Sequence, residues 1–152
     1  ANAAVGPLRH YEISNWATLG NMCRYNLTTW AQGEYVGFGL GAHSNRNGVR
    51  RRNVRRLDAY LGMTEEGVRP EAGREILSAW ERDKERVFLG LRRRAGVALG
   101  TAGKHFLSSE YGRQYLEAGV IVCEDGRLVV AKPLLSDAVA RELLALEAPR
   151  VE

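Results

Sequence analysis

The sequence predicts an α+β chain, and three observations carry that reading. Residues 10 to 62 are glycine-rich and weakly periodic, with only short strand-like pieces. From about residue 70 the apolar residues recur at helical spacing. The run "VIVCEDGRLVV" alternates around Asp125-Gly126, a strong signal for a two-residue hairpin.

From the amino end, Arg9 to Ile13 and Glu34 to Phe38 have strand character, and Val54 to Leu61 suits a short helix. Ile76, Leu77, Trp80, Val87, Phe88 and Leu91 fall on one helical face around the charged run Glu81 to Arg86, so a helix of about 20 residues is expected there. In "GVALGTAGKHFLSSEYGRQYLEAG" two short helices follow. The second carries Tyr111 and Tyr115 at i, i+4 and stops at Gly119, which suits a left-handed cap. Pro133 can open a last helix with Leu135, Val139, Leu143 and Leu146 as its core stripe. Helix, helix, helix, hairpin, helix is a winged-helix-like layout.

Composition narrows the class. With 45% hydrophobic and 26% charged residues the 152-residue chain resembles ordinary globular proteins, not disordered or collagen-like ones. Cys23 and Cys123 stand 100 positions apart, which rules out a dense disulfide framework or a four-thiolate metal site and suits a reducing, cytoplasmic compartment. No apolar run approaches the roughly 20 residues a membrane span needs, and no signal-peptide layout opens the chain. Ala1-Asn2-Ala3 resembles the scar of a removed expression tag, so a fragment is expected.

The net charge of +4 is unevenly spread. Arg46, Arg50, Arg51, Arg52, Arg55 and Arg56 crowd one segment with no acid before Asp58, a candidate anion contact. A winged-helix nucleic-acid module is one alternative, but the helix in the recognition position, Ser108 to Ala118, mixes Arg113 and Gln114 with Glu110 and Glu117. The hairpin tip is Glu124-Asp125, and acids there repel phosphate. Nucleic acid is therefore not an expected partner.

Gly37, Gly39 and Ala42 formally satisfy G-x-G-x-x-G/A, with Asp58 about 20 residues on. The strand, apolar helix and second strand of a dinucleotide site are missing, since "HSNRNGVRRRNVRR" follows. The glycines instead permit close approach of backbone amides to a ligand or to another backbone. His43, at the end of this run, either faces a cofactor or substrate or hydrogen-bonds a loop carbonyl. His10 has a structural setting beside Tyr11 and Glu12, and His105 belongs to a helix surface or interhelix contact. No spacing suggests a metal site, and no Ser-His-Asp set or carboxylate pair suggests a catalytic residue.

Four ordered blocks, "HYEISNWA", "CRYNLTTW", "YVGFGLGAHS" and "ERVFLGLRRRAGVAL", resemble the carboxy-terminal half of HemW-like heme chaperones, relatives of the oxygen-independent coproporphyrinogen III oxidase HemN. The resemblance implies a radical-SAM parent: an incomplete β/α barrel holding a [4Fe-4S] cluster on CxxxCxxC with S-adenosylmethionine, then a mostly helical carboxy-terminal domain. Residues 1–50 would be the last barrel strand and its extension, and residues 51–152 the helical domain with a hairpin near 120–131. The chain has no CxxxCxxC, so on its own it is expected to hold no cofactor and to be catalytically inert.

The same resemblance places Gly37, Gly39, Gly41, Ala42 and His43 beside the cofactor and aligns Tyr25-Asn26-Leu27-Thr28-Thr29-Trp30 with a heme-binding H-N-x-x-Y-W motif. Asn26 and Trp30 match, while Tyr25 and Thr29 replace the histidine and the tyrosine. Tyr25 then either ligates heme iron as tyrosinate or, with Trp30, packs a strand extension. Implied partners are heme or a porphyrin and the missing amino-terminal barrel. A cut edge at Arg9 to Ile13 would also favour self-association through residues 5 to 40. The other alternative is a coproporphyrinogen III dehydrogenase whose Arg46 to Arg56 cluster grips substrate carboxylates bidentately.

Overall fold

A computed structural model describes residues 6–149, and the expected tag scar Ala1-Asn2-Ala3 lies outside them. Helices and strands are mixed throughout, and the chain forms two compact units, residues 6–32 with 79–149 and residues 33–78. The boundary expected at residue 50 falls inside a strand of the second unit.

The first unit begins with an antiparallel pair, β1 (Arg9–Glu12) and β2 (Asn15–Ala17). Glu12 is fully buried, and one of its carboxylate oxygens accepts from Ser14 N and Asn15 Nδ2, which fixes the turn between the strands. The open strand edge expected at Arg9 to Ile13 is corrected by the structure. Ile13 N donates to Arg92 O at 2.9 Å, and Arg94 N donates to Tyr11 O at 3.1 Å, so a downstream segment already pairs with β1.

The stretch "CRYNLTTW", weighed as strand-packing sequence, forms helix α1 (Arg24–Trp30). Its aromatic and β-branched residues have modest helix propensity, so tertiary contacts hold it. Arg92 stacks its guanidinium 4.5 Å from the centre of the Trp30 ring, and Gln32 just beyond donates to Arg82 O and to Glu85.

The chain returns to this unit at α3 (Ala79–Gly90), 12 residues and not the expected 20. Residues 71–76 are strand, which leaves Ile76 72% exposed instead of on the helical core stripe. Then come β6 (Val97–Ala98), α4 (Gly100–Ser108), α5 (Glu110–Glu117), β7 (Ile121–Glu124), β8 (Arg127–Val130), a 3-10 turn at Pro133–Leu135 and α6 (Ser136–Ala145). Antiparallel sheet order is β6-β8-β7. The hairpin tip has φ of +48° at Asp125 and +70° at Gly126, as a type I′ turn requires.

Val87, Leu91, Phe106, Ile121, Leu128, Val139 and Leu143 build one core from α3, α4, the sheet and α6. Val139 and Leu143 keep their expected places and Leu146 packs against them. Leu135 does not: the chain there is still in the 3-10 turn, and Leu135 is 40% exposed.

Asp83 ties α3 to the start of α4. It accepts from Ala102 N at 2.7 Å and from Arg86, whose guanidinium also donates to Ala98 O. Partial burial acts to raise the Asp83 pKa, but the Ala102 amide and Arg86 outweigh it and hold the carboxyl below its ordinary 3.8. A depressed pKa stabilises the fold fully above the unfolded value and ceases to do so as pH falls through the folded value. Asp83→Asn should therefore lower the urea midpoint at pH 7, and the gap to the parent should shrink as the pH is taken below 3.8. An equal gap at both pH values would contradict this linkage.

The second unit is an antiparallel sheet, β3 (His43–Arg46), β4 (Val49–Asn53) and β5 (Glu71–Ile76), with α2 (Leu57–Glu65) between β4 and β5. Asn47 (φ +52°) and Gly48 (φ +70°) turn β3 into β4. The strand expected over Glu34 to Phe38 is reduced to a single bridge, Tyr35 exchanging two 2.9 Å hydrogen bonds with Asn45. The expected helix over Val54 to Leu61 starts three residues later, at Leu57.

Candidate functional site

Register decides which side chains of the second unit meet. His43 lies opposite Arg52 and Arg52 opposite Gly73, while Asn45, Arg50 and Glu75 form the neighbouring row. Because alternate residues of a strand share a face, these rows lie on one side, and the Tyr35–Asn45 bridge adds Tyr35 to it. A shallow trough of ≈ 430 Å³ results, lined by Tyr35, His43, Arg50, Arg52, Gly73 and Glu75 with Arg51 and Arg74 beside them.

Charges in the trough are unequally satisfied. Arg50 is held by Glu75 at 2.8 Å. On the opposite face Arg51 pairs with Glu71 at 3.1 Å. Arg52 has no hydrogen bond or ion pair through its side chain among the described residues, nor has the exposed imidazole of His43.

The amides of the glycine run donate within the unit. Gly37 N donates to Ser44 Oγ, Gly39 N to the Tyr60 hydroxyl and Gly41 N to Val54 O, so these amides are spent inside the unit. A Cβ at Gly37 would lie 2.1 Å from the His43 carbonyl oxygen, and Gly39 and Gly41 have φ of +91° and +63°. At Gly37 the close approach is to the His43 backbone, at Gly41 to the Arg55 side chain. Val36 before the run and Phe38 and Leu40 between its glycines stand exposed, Phe38 at 86%.

The other sequence candidates fall in the first unit. On α1, Asn26 and Trp30 share a face at i, i+4, and Tyr25 shares another with Thr29, whose hydroxyl donates to the Tyr25 carbonyl. Tyr25 is 65% exposed, while the Trp30 indole N–H is shielded and unpartnered. His10 is occupied: it stacks on Trp16 at 4.5 Å, and its Nε2 lies 3.0 Å from Ile13 O. His105 meets Trp80 edge-on at 5.7 Å. Of the three histidines only His43 is left without an internal task. Asp58, spaced like a ribose-binding acid, pairs with Arg56 at the start of α2, and that bond lowers its pKa.

Sequence reasoning missed Tyr35 and Glu75 as wall and counter-charge. The available signal was Asn47-Gly48, a hairpin dipeptide that aligns β3 with β4.

The chain is similar to the heme chaperone HemW of Bacillus subtilis, 37% identical over 106 residues that make up 70% of this chain and 27% of that protein. It is 36% identical over 136 residues to the heme chaperone HemW of Mycobacterium tuberculosis strain H37Rv, covering 88% of this chain. The chain belongs to the HemW-like family. It spans about a third of the length of such HemW relatives, 27% and 34% in these two. Among solved structures, the radical-SAM coproporphyrinogen III oxidase HemN from Escherichia coli superposes with a TM-score of 0.62 over 90% of this chain and 37% of its own, at 12% identity. That likeness concerns the fold alone. No protein-family model matches the chain.

Proposed function

We propose that this chain is the carboxy-terminal portion of a radical-SAM protein of the HemW-like family that handles heme or a related porphyrin, and that His43 presents its imidazole to the iron. The single observation carrying the site is that His43 alone among the histidines is exposed and unengaged, beside an unpartnered guanidinium. The names of the relatives support a chaperone over a dehydrogenase. The order α3, β6, α4, α5, β7, β8, α6 supports a winged-helix description of the first unit, while Glu124 and Asp125 at its tip disfavour nucleic acid.

The residues present do not fit an iron–sulfur cluster. Its sulfurs need about four thiolate ligands, and Cys23 and Cys123 are the only thiols. Cluster and S-adenosylmethionine are assigned to the part of the parent outside this sequence, and this chain alone is catalytically inert. Heme, when bound, would supply an iron that the His43 imidazole could ligate. The Tyr25 phenol has no hydrogen-bond partner among the described residues.

Hemin titration checks the assignment. The parent chain should show saturable binding with an imidazole-type Soret band. His43→Ala should weaken it at least about tenfold, equivalent to ~1.4 kcal/mol, and Tyr25→Phe should leave it unchanged. A tyrosinate charge-transfer band lost in Tyr25→Phe would move the ligand to α1. Binding insensitive to both substitutions would mean adsorption on exposed apolar surface such as Phe38.

A further inference from the structure

We propose that the trough face of the β3–β4–β5 sheet is a binding site for a single carboxylate, gripped by Arg52 with His43 at its side. The proposal deepens the heme reading and rests on it only for the natural ligand that carries the carboxylate. The chemistry of the site is argued from the sheet itself.

Arg52 and His43 are directly opposed in register, and opposed side chains on one face keep their Cβ atoms about 5 Å apart. A carboxylate gripped by Arg52 therefore lies beside the His43 ring, which stays available to another part of the same ligand. On the other flank of Arg52 the register partner is Gly73, and a Cβ built there would meet nothing within 4 Å. The guanidinium thus has an imidazole on one side and open space on the other. A planar acceptor can enter over Gly73 and meet the fork of N–H groups edge-on.

Net charge selects among anions. Glu75 holds Arg50 at 2.8 Å, and Arg74, which also lines the trough, belongs by register with Arg51 to the other face, so the uncompensated charge of the trough face itself is the one on Arg52. One positive charge with a bidentate fork matches a monoanionic, planar carboxylate, whereas a phosphate dianion would leave charge unmatched. Tyr35 supplies an aromatic wall at the end of the trough, which favours a carboxylate attached to a flat apolar body.

The direct test uses benzoate as the probe and reads the His43 ring and Arg52 Nε–H signals of the whole chain by NMR. Benzoate should shift both saturably, and Arg52→Ala should weaken its binding at least about tenfold. Arg52→Lys, which keeps charge but loses the fork, should recover little of that loss. Amide spectra of the variants report whether the sheet is intact. Absence of saturable shifts overturns the site. Inorganic phosphate acting at lower concentration than benzoate overturns the preference for a monoanion, and a single-stranded oligonucleotide doing so reassigns the face to nucleic acid and overturns the proposal as well.

Hemin and hemin dimethyl ester then separate this inference from the reading it rests on. Tighter binding of hemin than of the ester, with the difference abolished in Arg52→Ala, supports the clamp. Equal binding of the two leaves heme handling standing and removes the clamp. If hemin fails to bind while benzoate still depends on Arg52, the heme reading falls and the carboxylate site remains.

Discussion

Gly112→Ala should destabilise the first unit by about 3–4 kcal/mol, combining backbone overpacking with loss of a helix cap. A Cβ at Gly112 would lie 1.9 Å from the Phe106 carbonyl oxygen and 3.0 Å from Leu107 Cα. Those are backbone atoms of α4, which cannot rotate aside. The α4–α5 junction must open instead, and doing so pulls Gly112 N from Ser109 Oγ, a 3.1 Å bond that caps α5. Domains of this size have about 5–15 kcal/mol in total, so the loss is a large share. Gly62→Ala, inside α2 with open space around it, should shift stability the other way by up to about 1 kcal/mol. Urea midpoints check both, and Gly112→Ala unfolding at the parent midpoint would show that the junction has slack.

Phe106→Ala should cost about 3–5 kcal/mol, the usual range for truncating a fully buried aromatic. Phe106 is completely enclosed in the core that α3, the β6–β8–β7 sheet and α6 share with its own helix, so no neighbouring surface loop can collapse into the space. Phe106→Leu, which keeps most of the volume, should lose less than about 1.5 kcal/mol. Comparable losses for the two variants would mean that ring shape, not volume, is what the core requires.

The parts of the fold that were legible in the sequence are those written in short-range chemistry. Gly119 after α5 and Asp125-Gly126 at the hairpin each act through their own φ angle. The errors have equally local causes. Ile76 and Leu77 continue the apolar stripe of α3 by coincidence, and β5, solvent-exposed over nearly its whole length, offers no alternation to oppose that reading. In "SNRNGVRRR" the turn dipeptide was present, but flanking arginines and asparagine hid the strands because neither face is apolar.

The site was half legible. In the candidate site His43 stood out once the other two histidines had plausible tasks, and the arginine run suggested an anion contact. Which of the neighbours Arg50, Arg51 and Arg52 remains unsatisfied depends on Glu71 and Glu75, some twenty positions downstream and brought alongside only by β5 pairing. Spacing along the chain carries no trace of that choice. The glycine amides were equally ambiguous, since their acceptors Ser44, Tyr60 and Val54 are defined by the folded unit.

The first unit is assembled from two pieces of chain with the second unit encoded between them, and this sets an order of events at the ribosome. Strand β1 emerges early, yet the segment Arg92–Arg94 that pairs with it is made some eighty residues later, roughly ten seconds at ordinary elongation speeds. Residues 33–78 can close on themselves within that interval, because every strand of their sheet is contiguous in the message. The nascent chain therefore carries a bare strand edge only while it is being synthesised, and completion of α3 and the residues after it ends that exposure.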